Sequence, residues 1–177
     1  MHTNNEILKE ILLGEDSTRQ FKVKLNNPMH IAVEMCAMSN TSGGDIYVGV
    51  QDDCSIQGLT ADEIRKFNNW IAEAASQLVR PAIYPKTKVL EVDEKRILKI
   101  EVSEGIAKPY QDNKGVFWVK TGSDKRVASP QELMRLFQQN AQLSLDELTT
   151  AAPVDELDLS RFESFFLRLK ELSLTQV

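Results

Sequence analysis

The stretch NNPMHIAVEMCAMSNTSGGDIYVGV, Asn26 to Val50, constrains this chain more than any other. Asn27 has the side chain of a helix N-cap, and Pro28 suits the first helical position, where a missing N–H leaves no bond unmade. Ile31, Met35 and Met38 recur at helical spacing, widened by Ala32, Cys36 and Ala37, so a helix with an apolar stripe is expected here. Behind Gly43 and Gly44, DIYVGV has the apolar, β-branched character of a strand. The order is helix, glycine turn, strand. A phosphate-binding loop needs the reverse, because only a helix N-terminus aims free N–H groups and the positive dipole end at an anion. No GxxxxGK followed by Ser or Thr occurs either, so a P-loop ATPase is excluded. Two readings of the glycines remain. They make a tight helix-to-strand turn, or they strip a corner of side-chain bulk so that another backbone, a nucleic acid included, can approach.

The flanking segments supply the rest of a domain. Asn5 to Leu13 places Ile7, Leu8, Ile11 and Leu12 at helical spacing. TRQFKVKL, Thr18 to Leu25, alternates, with Phe21, Val23 and Leu25 on one side and Gln20, Lys22 and Lys24 on the other. That predicts a half-buried strand with a basic outer face. Thr60 and Glu63 form a capping box opening a helix that runs to about Val79. YPKTKVLEV and RILKIEV read as strands joined by a hairpin at Asp93, Glu94 and Lys95. Ser103 to Asn113 reads as a loop. GVFWVKTG is a strand with Phe117 and Trp118 on opposite sides, and SPQELMRLF is a helix capped by Ser129 and Glu132. The expected fold class is α+β, a mixed sheet with helices packed on it, in the order βαβα and then strands. Residues 1–140 make one domain. Residues 141–177 make a linker and an amphipathic helix through Phe162, Phe165, Phe166 and Leu169.

Charge narrows the function classes. The net charge is −5, but residues 141–177 hold 7 acids and 3 bases, leaving 18 bases against 19 acids in the first 140 residues. A dedicated, strongly basic nucleic-acid binder is disfavoured, while a near-neutral domain with one basic face is compatible. Two cysteines, Cys36 and Cys54, provide neither a disulfide framework nor a zinc site, and His30 is the one non-terminal histidine, a poor basis for a nucleophilic triad. No cofactor and no bound metal are expected. No apolar run is long enough to cross a bilayer, and Met1 to Glu10 is polar and acidic rather than a signal peptide.

Four pieces in order resemble a known family: GEDSTRQFK, AMSNTSGGDIYVGVQDD, IQGL and FWVKTGSDKRVAS. Together they resemble the Schlafen/AlbA-like DNA-binding domain over about Lys9 to Gln139. The resemblance implies a bacterial cytoplasmic protein, a transcriptional regulator or a relative of RecG-type ATP-dependent helicases. It also implies a longer parent continuing into further domains beyond the C-terminal helix. Schlafen relatives include RNA-cleaving members that use three carboxylates. The first matches Glu15, the second falls at Gln20, and the third corresponds to Asp52 or Asp53. A neutral Gln cannot supply a metal-binding charge, so the resemblance carries a degenerate acidic site and no competent nuclease. On the residues alone, Asp52 and Asp53 also read as an acidic hairpin turn.

The expected role is nucleic-acid binding, DNA favoured over RNA. Lys22 and Lys24 on one strand and Lys120, Ser123, Lys125 and Arg126 on another would gather beside the corner Asn40, Thr41, Ser42, Gly43 and Gly44. An ordinary solvated face is the competing reading of those lysines. Two alternatives stand beside this role: a metal-dependent nuclease of Schlafen type, and a protein-interaction or homo-oligomerisation module using the C-terminal phenylalanines.

Overall fold

The computed structural model describes residues 4–139, so the linker and amphipathic helix expected at 141–177 lie outside the described residues. Helix α1 (Asn4–Leu12) leads into strand β1 (Arg19–Lys22), helix α2 (Pro28–Asn40) and strand β2 (Gly44–Val48). Helix α3 (Ala61–Glu73) ends in a π-helical turn, Ala74–Leu78, that feeds the short strand β3 (Val79–Arg80). Then come β4 (Lys86–Val92), β5 (Lys95–Val102), β6 (Gln111–Asp112), β7 (Trp118–Thr121), β8 (Asp124–Val127) and helix α4 (Pro130–Gln139).

The main sheet has the order β1-β2-β5-β4, with β1 and β2 parallel and the other pairs antiparallel. Pleating sends Ile46, Val48, Leu98 and Ile100 to the face covered by α2 and α3, and Phe21, Tyr47 and Ile97 to the face covered by α1. Each such fully buried side chain contributes about 1.5–3 kcal/mol of hydrophobic stabilisation. The central element is α2. Every residue from Ile31 to Asn40 is buried, because the sheet, α3 and the β7–β8 hairpin surround it. Among the described residues no helix is long and apolar enough to cross a membrane.

The capping signals act as read. Asn27 Oδ1 accepts from His30 N, Thr60 and Glu63 close their box, and Ser129 and Glu132 exchange bonds at the start of α4. Asp93 and Glu94 both take positive φ, the geometry that a two-residue hairpin demands. The first strand differs from expectation. It ends at Lys22, whose carbonyl accepts from Gly49 N and Val50 N as β2 turns away. Val23 is left exposed, and Gln20, expected on an open basic face, is buried at 6% exposure. The loop expected at Ser103–Asn113 contains β6, which pairs with β3. Trp118 packs against the main core, whereas Phe117 meets Phe137 of α4.

Asp112 ties the hairpin to this frame. Its carboxylate accepts from Trp118 Nε1 and from the backbone N–H of Lys114 and Val116, all at 2.8–2.9 Å. Burial alone would raise its pKa, but these bonds stabilise the anion more and hold it below the ordinary value of 3.8. The folded state therefore binds this proton less readily than the unfolded chain. The stabilisation is complete above the ordinary aspartate range and is lost as pH falls through the lower folded value. Asp112→Asn should lose about 1–2 kcal/mol at neutral pH and flatten the acid limb of a melting-temperature profile. Gly44→Ala tests the corner, since φ is +147° and an added Cβ would lie 2.3 Å from the Thr18 carbonyl oxygen. Urea unfolding should show a loss of about 3 kcal/mol or more. Gly122→Ala, at φ +59° in open space, should cost only about 1 kcal/mol.

Candidate nucleic-acid interface

The glycine corner packs against the protein's own backbone. A Cβ on Gly43 would meet Glu104 N and Val102 O at 2.6 Å, and one on Gly44 would strike Thr18. Gly43 N and Thr41 N both return to the Met38 carbonyl and close the helix, while Thr41 Oγ1 accompanies them on Ala37 O. Chain meets chain at both glycines, as the tight helix-to-strand turn requires. Asn40 is likewise engaged. Its Nδ2 donates to Tyr110 O and Trp118 O, and its Oδ1 accepts from Tyr110 N. Ser42 remains exposed at the rim.

The lysines from distant segments do come together, around acids. Lys125 Nζ lies 2.6 Å from Glu34 Oε1, and Lys22 Nζ lies 3.6 Å from the same oxygen. Lys24 pairs with Glu63 at 2.6 Å, holding that carboxyl down at about 2, with the Thr60 cap assisting. Lys120 is buried, its Nζ donating to Gln20 Oε1 and Ser123 O. Burial pulls the Lys120 ammonium below its ordinary value; Glu34 and Glu15 oppose this, and the fields of Lys22 and Lys125 add to it. Lys120 and Lys125 are register partners on β7 and β8. Like charges opposite one another are unfavourable, and separate partners, Gln20 and Glu34, resolve the conflict.

Other expected site residues sit elsewhere or do other work. Arg126 grips Glu132 with two bonds of 2.6 and 2.8 Å and fastens β8 to α4. That guanidinium holds the Glu132 carboxyl at about 2. Glu15 Oε1 accepts from Phe21 N and Gln20 Nε2. Gln20 thus donates to Glu15 and accepts from Lys120, which a carboxylate at this position could not do. Asp53 caps its own turn through Ser55 N, and Asp52 is exposed beside it. The parallel register puts both beyond the Val48 end of β2, whereas Glu15 precedes the Arg19 end of β1. One carboxylate, one amide and an ammonium do not fit a divalent cation, and among the described residues no three His, Cys, Asp or Glu side chains converge to hold one.

Two clefts flank the hairpin. One of about 350 Å³ is lined by Lys22, Lys24, His30, Glu34, Trp118 and Lys125, among others. A second, also about 350 Å³ and more open, has Thr41, Ser42, Lys108, Lys120 and Arg135 on its walls. Lys108 is buried there, donating to Thr41 O at 3.0 Å and Glu104 Oε1 at 2.5 Å. Glu34, Lys108 and Arg135 were not singled out from the sequence. The available signal was Glu34, the one acid in an otherwise uncharged helix.

Among solved structures, the chain is similar to the DIP2311 protein of Corynebacterium diphtheriae at 20% identity and a TM-score of 0.53, covering 91% of this chain and 30% of that one. This chain therefore spans less than a third of that protein's length. It also matches the N-terminal domain of a Nitrosomonas europaea protein described as related to the ATP-dependent DNA helicase RecG. That match has 18% identity and a TM-score of 0.45, covering 73% of this chain and 95% of that one. No curated protein matches. The family model described as Schlafen, AlbA_2 matches residues 15–129, the span that holds the sheet, α2 and the lysine-bearing hairpin, and the chain belongs to that family.

Proposed function

We propose that this chain is a nucleic-acid-binding domain, with DNA favoured over RNA, serving a bacterial transcriptional regulator or helicase-related protein. The observation that carries the reading is the convergence of Lys22, Lys24 and Lys125 on one cleft beside Trp118 and His30. Lysines release condensed counterions from phosphates, and an aromatic face accepts bases. The acids paired with these lysines make the interface an exchange site. Each lysine leaves a carboxylate for a phosphate, so binding is weak and salt-sensitive. Lys108, Lys120 and Arg135, with Glu104 and Glu132 among them, line the second cleft past the hairpin toward Ser42. Family membership supports the reading.

Titration with short single- and double-stranded DNA and RNA at two salt concentrations tests it. Dissociation constants of about micromolar at low salt are expected, weakening steeply as salt rises. Lys22→Gln and Lys125→Gln should each weaken binding across all sequences and lower the salt slope by about 0.7–0.9. Lys86→Glu, on β4 at the opposite edge of the sheet from β1, should change neither. A flat response at low salt overturns the proposal.

A further inference from the structure

We propose that the cleft between β1, α2 and the β7–β8 hairpin reads one unpaired base, with the Glu34 carboxylate on its floor accepting from an exocyclic amino group. The inference rests on the nucleic-acid reading above and adds what is recognised. Glu34 is 3% exposed, and its two oxygens differ. Oε1 faces Lys125 and Lys22, whereas Oε2 is buried with no hydrogen-bond partner. A buried carboxylate oxygen without a donor is unfavourable, and a ligand N–H would satisfy it.

The surroundings sort the parts of a nucleotide. A carboxylate floor repels phosphate and carbonyl oxygen and accepts N–H donors. Lys22, Lys24 and Lys125 at the walls attract phosphate. Base inward and phosphate outward is the orientation these charges favour. Trp118 is partly buried, and its indole N–H is fixed on Asp112 Oδ2 at 2.9 Å, so its ring is held as a stacking wall. The volume of about 350 Å³ lies in the small-ligand range. Lys125 is paired with Glu34 Oε1 in the free protein; its transfer to a phosphate frees the carboxylate as the base arrives. Cytosine N4, adenine N6 and guanine N2 supply the donor. Uracil presents O4 at the edge where cytosine presents its amino group, opposing lone pairs to a carboxylate.

Oligo-dC against oligo-dU is the cleanest comparison, since the two bases match in size and stacking area. The intact chain at low salt should bind oligo-dC about fivefold or more tightly than oligo-dU. Glu34→Gln, whose amide can also donate, should bring the two within about twofold of each other. A second readout stands apart from that variant's folding. In Trp70→Phe protein the remaining indole, Trp118, should be quenched by oligo-dC and only weakly by oligo-dU. Equal affinities, equal quenching, or a ratio untouched by Glu34→Gln in folded protein overturns base reading and leaves nucleic-acid binding standing. Absence of binding by both oligonucleotides removes base reading, and a flat response with duplexes and RNA as well removes nucleic-acid binding too.

Discussion

The last turn of α2 fastens the segment around Tyr110 and Trp118 to the helix, and one side chain, Asn40, makes three of the bonds. Asn40 is 2% exposed; its amide donates to the Tyr110 and Trp118 carbonyls and its carbonyl accepts from Tyr110 N. Buried backbone groups must find partners, and here a helix side chain supplies them to a segment 70 residues away. The consequence is positional. With Trp118 anchored on α2, the β7–β8 hairpin lies along the helix, and its lysines reach Gln20 and Glu34. Asp112 reinforces this by fixing the indole of the same tryptophan.

This arrangement explains how a near-neutral domain concentrates cations without repelling itself apart. Each lysine of the cluster has a partner, whether carboxylate, amide oxygen or backbone carbonyl, with Lys22 and Lys125 sharing Glu34. Lys120 sits deepest and takes neutral partners at short range, with Glu34 and Glu15 acting on it through space. Gln20 is the hinge of that network because an amide both donates and accepts. Its side chain joins Glu15 to Lys120 in this chain. On the far face Lys99 pairs with Asp45 and Glu10 and lies over the Tyr47 ring. The two charged regions are kept apart by the sheet itself.

Local signals were legible wherever the physics was local. Asn27, Thr60 and Ser129 announced their helices because an N-cap bond spans only three residues. The Asp93–Glu94 turn announced its hairpin, and Met35 and Met38 are core as their spacing implied. Alternation failed at Gln20 and Val23, since the period of a strand says which residues share a face and says nothing of what covers it. The glycine corner was read correctly as a helix end. Its tight fit against Val102, Glu104 and Thr18 comes from strands and loops that lie far away in sequence.

The sequence by itself determined the element types, their capped boundaries, the mixed α+β class and the family, because helix and strand periodicity and turn chemistry act over a few residues. Only the tertiary structure decided which partners the lysines take, that Glu34 lies among them with one oxygen unmet, and that Asn40 and Arg126 bond to neighbouring elements. Those outcomes depend on pairings between residues up to 100 positions apart. Charge and hydrogen-bonding roles are set by whichever groups the fold brings within about 3 Å, and no local pattern carries that information.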